Sequence, residues 1–240
     1  MWRTFAVDYR LSSSAPFTAE NPFPAALLDA VAAYKYLICT LGFLPQNVVV
    51  VGDSAGGNLA LALTRYLLEN NIPHLPPPGS LVLVSPWPDL LTSRADLTSS
   101  HTLNMQSDIF PPPPKDNYPV TSFLGPLDPA HANTNRYFSP TSIHVQKKQD
   151  GSPIFINFPK TYVIGGGAEQ LFDDIKALSL LLRADGVDVQ MDFPPDAVHD
   201  FVVFSWHEPE RSEVFRRMAG WIDGHGSLLP YANDSVAASV

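Results

Sequence analysis

Cysteine is almost absent from this chain of 240 residues, which carries only Cys39. A single thiol allows no intrachain disulfide, so the chain is not a stapled scaffold. Cys39 stands in an apolar helical pattern and is expected as a small core residue. Long hydrophobic runs are missing as well. None approaches the roughly 20 residues that a membrane-spanning helix requires, so stable membrane insertion is not expected. Positive charge is scarce: 15 Lys and Arg face 24 Asp and Glu, a net charge of −9. That balance argues against nucleic acid and anionic membrane surfaces as partners. The opening Met1-Trp2-Arg3-Thr4-Phe5 is not a signal peptide, and a soluble cytoplasmic protein is the resulting expectation.

What is present fits one globular domain with a sizeable core, with 45% hydrophobic and 16% charged residues. The stretch Val48-Val49-Val50-Val51 reads as a strand buried on both faces, as in a parallel sheet. Leu59 to Leu63 continue as a helix. Between them lies Gly52-Asp53-Ser54-Ala55-Gly56, a G-x-S-x-G pattern in the strand–turn–helix setting of a nucleophile elbow. So sharp a reversal is expected to leave no room for side chains at Gly52 and Gly56. It also strains the serine, lifting its hydroxyl above the sheet. A phosphate-binding turn fits poorly. The glycines do not space as G-x-G-x-x-G, and no Gly-Lys-Ser/Thr follows.

In chain order, Thr4 to Tyr9 reads as a strand and Ser12 to Phe23 as a Ser/Pro-rich loop. Leu27, Ala30, Val31, Tyr34, Leu37, Ile38 and Leu41 recur at helical spacing, with Pro24 near the start and Gly42 at the stop. After the elbow helix, Leu81 to Val84 is another short buried strand. Residues 86–160 are Pro- and Ser-rich, with weak pattern, and so long an insertion is expected to be functional. Its apolar residues Trp87, Phe110, Tyr118, Phe123, Leu124, Tyr137 and Phe138 are candidates for a pocket wall, and equally for pins that hold the loop to the core. Thr161 to Ile164, a helix over 171–182, a strand over 187–193 and a last helix from Pro209 to Ile222 complete the alternation. The pattern predicts an α/β fold, a mostly parallel sheet with helices on both faces. A single domain over 1–226 follows, with 86–160 as its cap or pocket insertion and 227–240 as a flexible tail.

Several motifs, in order, carry a resemblance. Gly52-Asp53-Ser54-Ala55-Gly56-Gly57-Asn58-Leu59-Ala60 is similar to the elbow of the hormone-sensitive-lipase-like branch of the α/β-hydrolases. Val7-Asp8-Tyr9-Arg10-Leu11 and Glu20-Asn21-Pro22-Phe23-Pro24-Ala25-Ala26 resemble the two halves of that family's V-D-Y-R-L-A-P-E-x-P-F-P-A-A, with extra residues between them. The similarity covers most of the chain. It implies Ser54 as nucleophile and the chain order Ser, acid, His. Val198-His199-Asp200-Phe201 resembles the histidine turn, with Asp200 where the family usually has Gly, so His199 is the expected base. Gly167-Ala168-Glu169-Gln170-Leu171-Phe172-Asp173-Asp174 resembles the acid turn, G-x-x-D-x-L-x-D. Aligned on Leu171 and Asp173, it gives Glu169 as the orienting acid, with Asp173 as the alternative. Asp53 is expected to be scaffold. The backbone N–H of Ala55 is the expected oxyanion donor, and Trp87, Phe123 and Phe201 are expected to contact substrate. No metal and no organic cofactor is implied.

One family feature is missing. No His-Gly-Gly occurs in the chain, whereas the family carries an H-G-G-G oxyanion loop well upstream of V-D-Y-R-L. In that family's sheet another strand lies between the V-D-Y-R-L strand and the elbow strand. Here Thr4 to Tyr9 must then slide against Val48 to Val51 or hang loose, leaving an apolar edge exposed. The expectation is a sheet without its first strands and N-terminal cap helices, in an N-terminally shortened chain. Two functions follow: an esterase acting on small short-chain esters through an acyl-enzyme, or an inactive hydrolase fold used to bind a ligand or partner. Oligomeric state is left open.

Overall fold

The computed structural model describes residues 3–109, 117–145 and 153–224. Phe110 and the tail over 227–240 lie outside them. Helix α1, Ala25–Lys35, continues as a π-helical turn over Tyr36–Thr40 and stops at Gly42 with φ +72°. Strand β1, Val49–Asp53, runs directly into helix α2, Ser54–Asn70. Strand β2, Ser80–Val84, leads into the insertion, whose helices are α3, Ser100–Leu103, α4, Tyr118–Leu124, and α5, His131–Thr134. Strand β3, Lys160–Ile164, helix α6, Phe172–Ala184, strand β4, Val189–Asp192, and helix α7, Glu210–Ile222, complete the order.

The four strands among the described residues lie in the order β1-β2-β3-β4, all parallel, with Val82 opposite Val51 and Tyr162. Side chains alternate across the sheet, as the two-residue strand period requires. Leu81, Leu83, Val163 and Val189 pack on one face against Ala60 and Leu61 of α2 and Ile175, Leu178 and Leu182 of α6. Val82, Val84, Tyr162 and Ile164 pack on the other against Phe201, Val202 and Val214 of α7. Both faces of β2 and β3 are therefore covered, which explains their uninterrupted apolar sequences. Helix α1 lies outside α2, joining Leu27, Ala30 and Tyr34 to Leu63 and Leu67.

Two sequence expectations are corrected. Thr4 to Tyr9 forms no strand. It makes no ladder with β1, which is left as a sheet edge with Val51 61% exposed. The segment is held instead by side chains. Arg10 grips Asp29 through Nη2 and Nε at 2.8 and 2.9 Å, and the Phe5 ring lies 6.1 Å from that of Tyr36. Cys39 is exposed rather than buried. The stripe of α1 through Leu27, Ala30 and Tyr34 passes beside it, not through it.

Candidate active site

All three motif residues lie beyond the carboxyl ends of the strands, where an open parallel sheet leaves a crevice. Ser54 is the first residue of α2 and sits at φ +48°, a left-handed conformation that costs a non-glycine residue energy. The turn around it is tight at Gly52, where a Cβ would come 2.2 Å from the Gly56 carbonyl oxygen. Gly56 itself is not crowded, contrary to expectation. A Cβ there would find its nearest atoms, Asp53 Oδ1 and Tyr9 Oη, at 3.8 Å. Crowding falls one residue later instead, since a Cβ at Gly57 would meet Pro86 Cβ at 2.8 Å. The Ser54 carbonyl accepts the Trp87 N–H at 3.0 Å, and the Asn58 amide donates to the Trp87 and Phe138 carbonyls at 2.8 and 2.6 Å. These bonds lock the elbow to the insertion at Trp87 and Phe138.

Glu169 and His199 meet across the loops that follow β3 and β4. Gly166 permits the approach: a Cβ there would strike the Ala197 carbonyl oxygen at 2.2 Å. Ala168 N–H bonds that same carbonyl at 2.9 Å, and Gly167 N–H bonds Pro194 O at 2.8 Å. Glu169 Oε2 lies 2.7 Å from His199 Nδ1, and both side chains are almost fully buried. Its other oxygen accepts the Gly166 N–H at 2.6 Å and the Ser85 hydroxyl at 3.1 Å. The far ring nitrogen, Nε2, faces Asp200 Oδ2 at 3.2 Å.

Burial pushes the Glu169 carboxyl up, against the His199 ring, the Gly166 N–H and the Ser85 hydroxyl. Burial works against a charged His199 too, but Asp200 and Glu169 outweigh it and raise the ring to about 9. With Glu169 bonded to three donors and a carboxylate at each ring nitrogen, the arrangement favours the proton on the imidazole.

Asp173 is placed differently. Its carboxylate accepts the Ser100 N–H at 2.7 Å, and its own N–H bonds Ser100 Oγ at 3.0 Å. It ties α6 to α3 rather than reaching the imidazole. Asp53 is exposed at the end of β1. Sequence reasoning missed Asp108, whose carboxylate accepts the N–H of His199 at 3.0 Å and of Gln170 at 2.8 Å. Asn104 donates to the Glu169 carbonyl at 3.0 Å. These residues belong to no motif, and only the fold brings them to the acid and histidine loops.

A cavity of about 340 Å³ opens beside the elbow, lined by Ala55, Leu59, Trp87, Tyr118, Phe123 and Tyr137 among others. Trp87, Tyr118, Phe123 and Tyr137 are therefore wall residues. Phe138 and Leu124 are buried behind them, the Phe138 ring 5.3 Å from that of Phe123. Phe201 lines no part of this cavity. It is fully buried between the sheet and α7, which corrects its expected substrate contact. Its position next to the histidine turn points it inward, under the loop. Among the described residues no group of three or more His, Cys, Asp or Glu side chains is arranged to hold a metal, and no helix is long and apolar enough to cross a membrane.

A parallel sheet with a strained serine turn, an acid loop and a histidine loop beyond its carboxyl ends is an α/β-hydrolase architecture. Residues 2–203 match the family described as having the alpha/beta hydrolase fold, and the chain belongs to that family, in its hormone-sensitive-lipase-like branch. It is 31% identical to an acetyl-hydrolase of Streptomyces hygroscopicus, over 79% of this chain and 55% of that one. It is 30% identical to esterase LipU of Mycobacterium tuberculosis, over 90% of this chain and 65% of that one. A solved hormone-sensitive lipase from a metagenome library superposes with a TM-score of 0.70 at 31% identity, over 90% of this chain and 65% of that one. The chain thus spans between about half and two thirds of the length of these relatives.

Proposed function

We propose that this chain is a carboxylic-ester hydrolase that uses Ser54, His199 and Glu169 on short-chain esters. Esterase relatives support the reaction class, and the observation that carries the reading is the buried Glu169–His199 bond of 2.7 Å across the loops that follow β3 and β4. Ser54 Oγ attacks the ester carbonyl as its proton passes to His199 Nε2. His199 then returns that proton to the departing alkoxide, and Glu169 holds the ring in the required tautomer. Water repeats the sequence on the acyl-enzyme and releases the acid. Ala55, at the first turn of α2, offers its backbone N–H to the oxyanion, where the helix terminus also favours negative charge. The 340 Å³ cavity, walled by Trp87, Phe123, Tyr118 and Tyr137, is of a size for a small acyl or alcohol group and favours short chains.

A second reading, a hydrolase fold that binds a ligand without turning it over, draws on the lack of His-Gly-Gly in the 240 residues. Removing one oxyanion donor from a serine hydrolase costs about 10²–10³ in rate. The two readings separate in one experiment: hydrolysis of p-nitrophenyl butyrate by the purified chain beside Ser54→Ala. The esterase reading expects turnover that drops to background in the variant. Equal rates in both chains would sink it in favour of binding alone.

A further inference from the structure

Asp200 occupies the turn directly after His199 at φ +51°, a left-handed position that glycine or asparagine fills without strain. An aspartate here puts a carboxylate where the ring's catalytic nitrogen must work. The backbone fixes that placement, because the Asp200 N–H donates to Ser85 Oγ at 3.1 Å, and Ser85 in turn donates to Glu169. Oδ2 lies 3.2 Å from His199 Nε2. The other oxygen, Oδ1, is buried and has no hydrogen-bond partner among the described residues.

With its Nδ1 proton donated to Glu169, a neutral His199 presents a bare lone pair at Nε2. A carboxylate oxygen set against a lone pair repels it. The same oxygen set against an Nε2–H attracts it. The contact with Asp200 is therefore favourable only for the doubly protonated ring, and a doubly protonated ring cannot accept the Ser54 proton.

We propose that Asp200 is a gate on the catalytic base: its carboxylate holds His199 as an imidazolium across Nε2, and catalysis begins only after Nε2 loses its proton to solvent and Asp200 turns away. This inference rests on the esterase reading for its consequence, but not for its geometry. The gate opens in a simple order. The Nε2 proton leaves to water or hydroxide, the contact turns repulsive, and the Asp200 side chain, 16% exposed, swings outward. A free lone pair at Nε2 is what proton transfer from the serine requires. The raised affinity of His199 for its proton agrees with this order. Among the described residues, the charged or titratable groups bonded to the histidine turn include Glu169 at Nδ1, Asp200 at Nε2 and Asp108 at the backbone N–H, with His207 Nε2 lying 3.5 Å from Val198 N. Of these three carboxylates, Asp200 is the one set against the nitrogen that must take the serine's proton.

The test compares the full chain with Asp200→Asn and Asp200→Gly, both compatible with the left-handed turn. Nitrogen-detected NMR titration of the imidazole, assigned against His199→Gln, reads the ring directly and requires no turnover. In the parent the midpoint is expected at about 9. In both variants it should fall by one pH unit or more. The acidic limb of kcat/KM for p-nitrophenyl butyrate should fall with it, so that the variants are roughly tenfold faster than the parent at pH 7. Coincident midpoints in the parent and both variants would overturn the gate, whatever the rates. A moved midpoint in a chain that hydrolyses no ester would support the contact and count against the esterase reading instead.

Discussion

At the scale of single residues, the candidate acid and base, Glu169 and His199, are placed by groups that no motif announces. Asp108 is the clearest. One carboxylate takes the N–H groups of Gln170 and His199, and so clasps the loops that carry Glu169 and His199. Asparagine at this position keeps one acceptor but turns an NH2 group toward the second N–H, releasing one loop. Small displacements of catalytic groups cost rate steeply. Asp108→Asn should therefore lower kcat for p-nitrophenyl butyrate about tenfold while KM changes little. A purely structural residue would instead lower the amount of folded enzyme at unchanged kcat per titrated active site, which labelling with a fluorophosphonate distinguishes. The turns that carry Ser54, Glu169 and His199 were legible because their spacing is local. Ser54, Glu169 and His199 each sit in a recognisable turn, and the imidazole bonds Glu169 rather than Asp173. Asp108 was not legible, because its role depends on a loop 62 residues from Gln170 and 91 from His199 returning to both. Phe201 was misread for the complementary reason: an aromatic next to a histidine turn can face the pocket or the core, and sequence spacing does not separate these.

At the scale of elements, the strand-to-helix junction of β1 and α2 shows where the glycines of G-x-S-x-G are required. The sequence pattern treats Gly52 and Gly56 alike. The structure does not. At Gly52 a Cβ would overlap the Gly56 backbone at 2.2 Å, and a backbone carbonyl inside a helix start has nowhere to move. At Gly56 a Cβ would rest 3.8 Å from its nearest neighbours, because this face of the helix looks into the cavity of about 660 Å³ beside the β1 edge. Gly52→Ala should thus cost on the order of 3 kcal/mol or more. Gly56→Ala should be neutral, or slightly stabilising through lower backbone entropy in the unfolded chain. Thermal unfolding of the two variants beside the parent checks the contrast, and equal losses at both positions would contradict it. The strands β2, β3 and β4 and the helices were legible from period and punctuation. The insertion was not, since its helices α3 and α5 have four residues each and present no periodic stripe.

At the scale of the whole molecule, helices cover both faces of the sheet, and among the described residues β1 and β4 are its two edges. A strand at the edge keeps half of its backbone hydrogen bonds unmade. Among the described residues Val49 to Asp53 pair with β2 alone, whereas β2 and β3 each have a partner on both sides. The segment over residues 3–9 lies along the resulting groove without entering the ladder, although its sequence alternates well enough to read as a strand. Strand propensity is a statement about fit to a neighbour, and here the neighbour it fits is not β1. Local opening follows backbone pairing, so hydrogen exchange should grade across the sheet. Peptides covering residues 3–11 should exchange within seconds, those covering 48–53 should be intermediate, and those covering 80–84 and 160–164 should be the slowest in the molecule. Exchange of 3–11 as slow as that of β2 would mean that the segment pairs with a strand in solution. The Ser54 turn hangs directly on the intermediate strand. An elbow whose feeding strand is held on one side alone keeps its strained serine less firmly than a central strand would, and protection of 48–53 relative to 80–84 measures that difference.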